Sequence, residues 1–470
     1  MSIPFGSRVQ KGYSPSVRWA KRGTPLRSRL LAKARARTIR LGYIASNTHA
    51  HRAGGTMART HELKHLVLMC RDHAVLDFLW DARLQRATGK LIHLERAYAP
   101  EGIKDATGAI TRSHVSSWLV RRGIPELRPD SQRKIRLLGF SDATDMLTSG
   151  HAASLSDQYW LRPAGDTSTW ADVSPYVNDF SEDVGIFLVA RSSDTISRLA
   201  KELAGSKALG SSPDASLGGD LTKRWAIEGG RRVLIKHGSF NRRVQEPVNE
   251  LIATKLEERL LRTEDYVPYE LRGSYNEQAC ACPCMCNDTT ELISAFSILS
   301  STRRSNDESL CDSYLRACRA HGVDASAHVE KMLVIDHILC NMDRHWNNFG
   351  VFADSETREW LRPAPLFDNG NSLWSDRTMA EGFGPYHLRQ GAKRPFLTHE
   401  YDQLERYCHD LSWFEPGQLD GFADEVHDLL ALNPYMAIEP GLIDAITRAV
   451  GERISHVVAW ANRRARGTTC

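Results

Sequence analysis

Long apolar stretches are what this chain lacks most: no run approaches the roughly 18–20 residues that span a bilayer, so no transmembrane segment is expected. No secretory signal is visible either, because the first residues contain no continuous apolar core. Cysteine is scarce, at ten in 470 residues. Without a secretion signal these are expected to be reduced thiols, and the protein is expected in the cytoplasm. A C₂H₂ pattern, a helix-turn-helix, coiled-coil heptads and internal repeats are all missing, which argues against a zinc-finger or helix-turn-helix DNA reader, a long coiled coil or a solenoid. What remains is an ordinary globular composition, 41% hydrophobic and 25% charged, with length enough for two or three domains.

Acidic residues are absent from residues 1–56, which hold twelve Lys/Arg; the rest carries 49 basic against 57 acidic side chains, a net of −8. Three readings of this arm stand side by side. It is a poorly packed tail that binds nucleic acid or a membrane surface, an organelle transit peptide, or a segment upstream of a true start at Met57. Four of the cysteines, Cys280, Cys282, Cys284 and Cys286, alternate in ACACPCMC. Structural zinc sites use C-x₂–₄-C with a second, distant pair. Alternate strand positions face one way about 7 Å apart, so a packed small-residue face is expected over a metal site.

Residues 57–203 form a first, mixed α/β region. It opens with strand-like His65–Met69 and Leu76–Leu79, and HVSSWLVRRGIPELR predicts a tryptophan-anchored helix. SLSDQYWLRP and Trp170 are expected to serve packing. AGSKALGSSPDASLGGD, residues 204–220, is a loop or linker signal. Beyond it, Lys223–Ile227 and Arg232–Lys236 predict two strands around a tight EGG turn. QEPVNELIATKLEERLL predicts a helix, with Pro247 in its first turn and Val248, Leu251, Ile252, Leu256, Leu260 and Leu261 at helical period. Tyr266–Leu271 predicts another strand. Past residue 290 the pattern turns helical: Val329, Met332, Leu333, Ile335, Ile338 and Leu339 lead into CNMDRHWNNFGVF, and further amphipathic stretches begin at His399.

That junction concentrates chemistry. Phosphoryl transfer needs a carboxylate to take the proton of the attacking hydroxyl, hard oxygen ligands for Mg²⁺, and a cation on the phosphates. Asp343 and Asn348 stand at the interval of the Asp and Asn in the kinase loop H-R-D-x-x-x-x-N, although here the arginine and histidine follow the aspartate. Asp368, in FDNG, takes the place of the metal-gripping Asp of D-F-G. Taken alone, the pair could equally belong to a loop satisfying its own backbone, with Arg344 and His345 as ordinary surface or buried-pair residues. The order Lys236, Glu250, Asp343, Asn348, Asp368 is what points to a phosphotransferase.

On VLIKHGS, QEPVNELIA, NMDRHWNNFGVF and PAPLFDNGNSLW, residues 210–430 resemble the HipA-like serine/threonine kinases; the D-R-H-x-x-N element is shared with phosphoinositide kinases. The resemblance implies an α+β, bilobal protein-kinase-like fold. A small β-rich lobe would span 204–290 and a larger helical lobe 291–470, preceded by the 57–203 region and the 1–56 arm. It also implies ATP and Mg²⁺, with Asp343 as base, Asn348 and Asp368 on the metal, and Lys236 on the phosphates. Glu250 is expected to pair with Lys236, with Glu246 as rival; both also suit a helix N-terminus as acids favoured by the dipole. The family's phosphate loop corresponds to SLGGDLTKRW. There Gly218 and Gly219 permit close approach and Lys223 adds charge, a plain turn being the other reading. Ser216 and Thr222 are candidate autophosphorylation sites, and the adenine hinge is expected within Cys284–Thr289. A protein substrate and an antitoxin-like or regulatory partner are the expected partners, with nucleic acid reached only through the basic arm. The alternatives are a lipid or small-molecule kinase of the same fold, and a non-catalytic toxin–antitoxin-type module.

Overall fold

The computed structural model describes residues 63–273, 278–379, 396 and 400–466. The basic arm lies outside them, and with it the readings of nucleic-acid binding, transit peptide and a start at Met57. In the first region the strands Leu63–Cys70 (β1), His73–Asp81 (β2), Arg86–His93 (β3) and Tyr159–Pro163 (β4) form an antiparallel sheet in the order β3-β2-β1-β4. Successive strand residues face opposite sides. Accordingly, Leu66 and Leu68 of β1 join one core with Phe78, Trp80, Leu119 and Phe187, while Val67 and Met69 join Trp160 and Trp170 on the other side. Both faces are covered, which accounts for the unbroken LVLM run where a half-exposed strand would alternate.

Two sequence expectations change here. The predicted tryptophan-anchored helix is Arg112–Arg122 and stops at Gly123. Pro125 lacks the N–H that a continuing helix needs, so the remaining residues leave as a loop. The 204–220 stretch, read as loop or linker, carries a helical turn at Ala208–Ser211 and a 3₁₀ turn at Pro213–Ser216. Gly210 allows close backbone contact: a Cβ added to Gly150 would lie 2.6 Å from the Cα of Gly210.

A second antiparallel sheet follows, built from Lys223–Glu228 (β5), Arg231–His237 (β6), Glu270–Arg272 (β7) and Ala279–Pro283 (β8) in the order β5-β6-β8-β7. The β5–β6 turn has Gly229 and Gly230 at φ 55 and 77°, conformations that glycine adopts without strain. The predicted Tyr266–Leu271 strand is shorter than expected. Pro268 cannot donate to a ladder, and Tyr266 instead makes an isolated bridge to Leu366. Cys280 and Cys282 sit on one face of β8 in an apolar cluster with Val267 and Tyr269, and burial pushes the Cys282 thiol up to about 11.

The helix Glu246–Leu260 packs its Val248, Ile252 and Leu256 into the largest core. That core also takes in the helices Leu310–Ala320, Ser326–Leu339, Phe422–Ala431 and Leu442–Ala465. A third antiparallel sheet, Thr290–Ser294 (β9), Gly350–Asp354 (β10) and Trp360–Pro363 (β11) in the order β11-β10-β9, flanks it. No helix among the described residues is long and apolar enough to cross a membrane. The described chain is thus a mixed α/β structure in which a four-stranded sheet and a helical block meet at the helix Glu246–Leu260.

Candidate functional site

Lys236 sits near the end of β6, where the sheet meets the helical block. Its Nζ lies 2.9 Å from Glu250 Oε1, 2.9 Å from Asp368 Oδ1 and 3.0 Å from the Tyr269 hydroxyl. Lys236 is 5% exposed and Glu250 1%. Burial of this depth disfavours a lysine charge, but the Asp368 and Glu250 carboxylates outweigh it and hold the ammonium pKa well above the ordinary value. Asp368, whose side chain remains 33% exposed, is held below the usual carboxylate range: burial is overcome by Lys236, Lys223 and Arg344. Burial raises the Glu250 pKa against the pull of Lys236.

The second Glu250 oxygen accepts the N–H of Asn369 at 2.9 Å, so one carboxylate fixes both the lysine and the backbone beside Asp368. Asp368 itself is in the left-handed region at φ 63°, which costs a non-glycine residue energy and persists where the surroundings over-determine it. Those surroundings come from the same helix: Asn249 Nδ2 donates to the carbonyls of Gly370 and Ser372 at 2.8 Å each, and Gln245 Nε2 to that of Leu373 at 3.0 Å. The rival acid, Glu246, instead accepts from the hydroxyl and N–H of Ser239.

The helix Ser326–Leu339 ends with Cys340 at φ 51°, turning the chain into Asn341–Asn348. Asn341 Oδ1 accepts the Asp343 N–H at 3.0 Å, and Asn348 Nδ2 donates to the Asp343 carbonyl at 3.1 Å, which leaves the Asn348 Oδ1 without a hydrogen-bond partner among the described residues and able to face a cation. Arg344, left in sequence terms as an ordinary surface or buried-pair residue, is fully buried and central. It faces both oxygens of Asp336, donates to the carbonyls of Asn348 at 3.0 Å and Phe367 at 2.6 Å, and reaches Asn369 Oδ1 at 2.5 Å. One guanidinium thus ties the backbone of Asn348 to the residue preceding Asp368. The signal that could have found it is Asp336, an acid set in the apolar run VIDHIL.

Asp343, Asn348, Asp368, Lys236, Lys223 and Gly219 line one cleft of about 320 Å³. A larger cavity of about 610 Å³ lies in the first region, bordered by Leu138, Met146, Val173 and Leu209, so chemistry rather than size selects the cleft. Burial pulls the Lys223 pKa down to about 8, against the attraction of Asp368. Gly218, Ser216 and Thr222 are not among the residues bordering the cleft; the Ser216 hydroxyl donates to the carbonyls of Ala153 and Pro213 at 2.7 and 2.9 Å. Cys284–Thr289 also lies off the cleft border. Its Cys284 and Cys286 thiols point to the carbonyls of Leu155 and Ser156, while Met285 packs against the cluster of Val267, Tyr269, Cys280 and Cys282.

No family model matches the chain, and no curated protein matches it. Among solved structures it is similar to the crystal structure of a Helicobacter pylori proinflammatory kinase, CtkA. The match has a TM-score of 0.42 and 16% identity over 54% of this chain and 95% of that one, a likeness too weak to fix fold or activity.

Proposed function

We propose that this protein is an ATP- and Mg²⁺-dependent phosphotransferase of bilobal, kinase-like architecture that phosphorylates serine or threonine on a protein target. The observation that carries this reading is Lys236 Nζ, 2.9 Å from both Glu250 and Asp368 in a cleft that Asp343 and Asn348 also line. The donor set fits the groups it would hold. Asp368 and the Asn348 amide oxygen are the hard oxygen ligands that Mg²⁺ favours, and Lys236, Lys223 and the backbone around Gly219 suit phosphate.

Bound MgATP supplies the transferable phosphoryl group and the metal charge that neutralises it. Lys236, fixed by Glu250, would hold the phosphates, and Asp368 with Asn348 would hold the metal. Asp343 takes the proton of the acceptor hydroxyl as that oxygen bonds to the γ-phosphorus and the bond to ADP breaks, and its position is set by Asn341, Asn348 and, through Asn348, Arg344. The resemblance to HipA-like kinases supports the protein acceptor over a lipid or small molecule. The same resemblance is the basis for proposing the 204–290 and 291–470 lobes, autophosphorylation and an antitoxin-like partner. Full-length protein incubated with Mg²⁺ and γ-labelled ATP is expected to label itself or an added protein, and Asp343→Ala to lower the rate by about 10³-fold with the fold intact. Absence of both transfer and nucleotide binding in the unmodified chain would sink the proposal.

A further inference from the structure

The 217–220 loop beside the cleft is held from behind by the first region. After the helix Arg112–Arg122 the chain runs through Pro125–Asp130 to the cleft, where Leu127 and Pro129 form part of the border. Between them Arg128 turns inward and is 4% exposed. Its Nη2 donates to the carbonyls of Leu217, Gly218 and Gly219 at 2.6, 3.0 and 2.8 Å, and its Nε to Gly219 at 3.2 Å. Burial pulls its pKa down to about 10, partly offset by Asp214 and Asp220, so the guanidinium is charged at neutral pH.

A trans peptide unit points its C=O and N–H in opposite directions. Three successive carbonyls gathered on one guanidinium therefore turn the N–H groups of Gly218, Gly219 and Asp220 away from Arg128. None of these N–H groups has a backbone partner among the described residues. Gly219 holds φ +83°, a Cβ at Gly218 would meet nothing within 4 Å, and Gly219, Asp220 and Lys223 border the cleft. Unpaired N–H groups on successive residues form the kind of concave donor set that holds anionic oxygens.

We infer that Arg128 is a positioning residue: it presets the 217–220 backbone to receive the phosphates of a nucleotide, and so gives the first region a part in the cleft. This rests on the phosphotransferase reading. A lysine cannot replace it fully, because a point charge lacks the planar fork that collects several acceptors at once.

The test compares the full-length chain with Arg128→Ala and Arg128→Lys by titration calorimetry against MgATP and against adenosine, which has no phosphate. If the competent loop conformer becomes a minor one, ATP affinity falls in proportion, by roughly tenfold or more in R128A. Adenosine affinity stays unchanged, R128K falls between the two, and added guanidinium ion restores part of the loss in R128A. Should R128A fail to fold, R128K against the unmodified chain gives the same comparison. Unchanged ATP affinity in the folded variants, or parallel loss of ATP and adenosine, overturns the clamp alone. Absence of nucleotide binding by the unmodified chain overturns the phosphotransferase reading and the clamp with it.

Discussion

Replacing Arg344 by methionine removes the guanidinium that faces Asp336 at 2.9 Å and leaves a carboxylate only 6% exposed, with Asn341 Nδ2 at 3.1 Å still beside it. Removing one partner of a buried ion pair typically costs about 3–5 kcal/mol. Set against a total stability of about 5–15 kcal/mol, R344M should unfold at markedly lower urea or aggregate. The double replacement D336L/R344M removes both charges, and apolar substitution of a whole buried pair is often neutral or stabilising by about 1–4 kcal/mol. It should therefore recover most of the lost stability. The bonds from Arg344 to the carbonyls of Asn348 and Phe367 and to Asn369 do not come back. With Asn348 and Asp368 no longer tied together, a misplacement near 1 Å is enough to cost about 10²-fold in rate. Urea denaturation followed by circular dichroism, alongside phosphate transfer per folded molecule, separates the two effects. If D336L/R344M regains both stability and full transfer, Arg344 has no positioning role.

Glu250→Gln keeps the shape of the side chain but offers an NH₂ to either Lys236 or the Asn369 N–H, both of which need an acceptor. Transfer is expected to fall by about 10²-fold in kcat/KM, and an unchanged rate would remove Glu250 from the site. Lys223, with its pKa lowered to about 8, is cationic below that pH and loses its charge above it. Apparent ATP affinity should thus weaken between pH 7 and 9 in the unmodified chain and stay flatter in Lys223→Met. The same shift sets a stability sign. The folded pKa lies below the unfolded value, so the burial cost is complete below pH 8 and is relieved as pH climbs toward 10.5, a rise that K223M should lack in pH-dependent denaturation.

The elements around Lys236 could be read from local signals: β-alternation on each side of Gly229–Gly230, then an amphipathic helix opened by Pro247. Glu250 is the expected partner of the lysine, with Glu246 as rival, and it is the acid that meets it. Glu246 and Glu250 are one turn apart on the same helix face, and only the docking of that helix separates the acid that meets Lys236 from the one that meets Ser239. The sequence allowed Arg344 as a buried-pair residue, and it does pair with Asp336, but not its link to the Phe367 carbonyl 23 residues on, which only folding brings near. Arg128 was hidden more deeply, since its acceptors lie 89–91 residues away and are backbone carbonyls, which no residue pattern marks. Gly210 is small for close packing against Gly150, a use that looks in sequence like a flexible linker.

Calorimetric titration of ATP into the full-length chain, with and without Mg²⁺, tests most directly whether Asp368 and Asn348 hold a metal beside a nucleotide. Mg²⁺ should tighten ATP binding in the unmodified protein, and that enhancement should vanish in Asp368→Asn while surviving in Asp343→Asn. ATP binding indifferent to Mg²⁺, or an enhancement that persists in D368N, would contradict a metal-nucleotide site at this cleft.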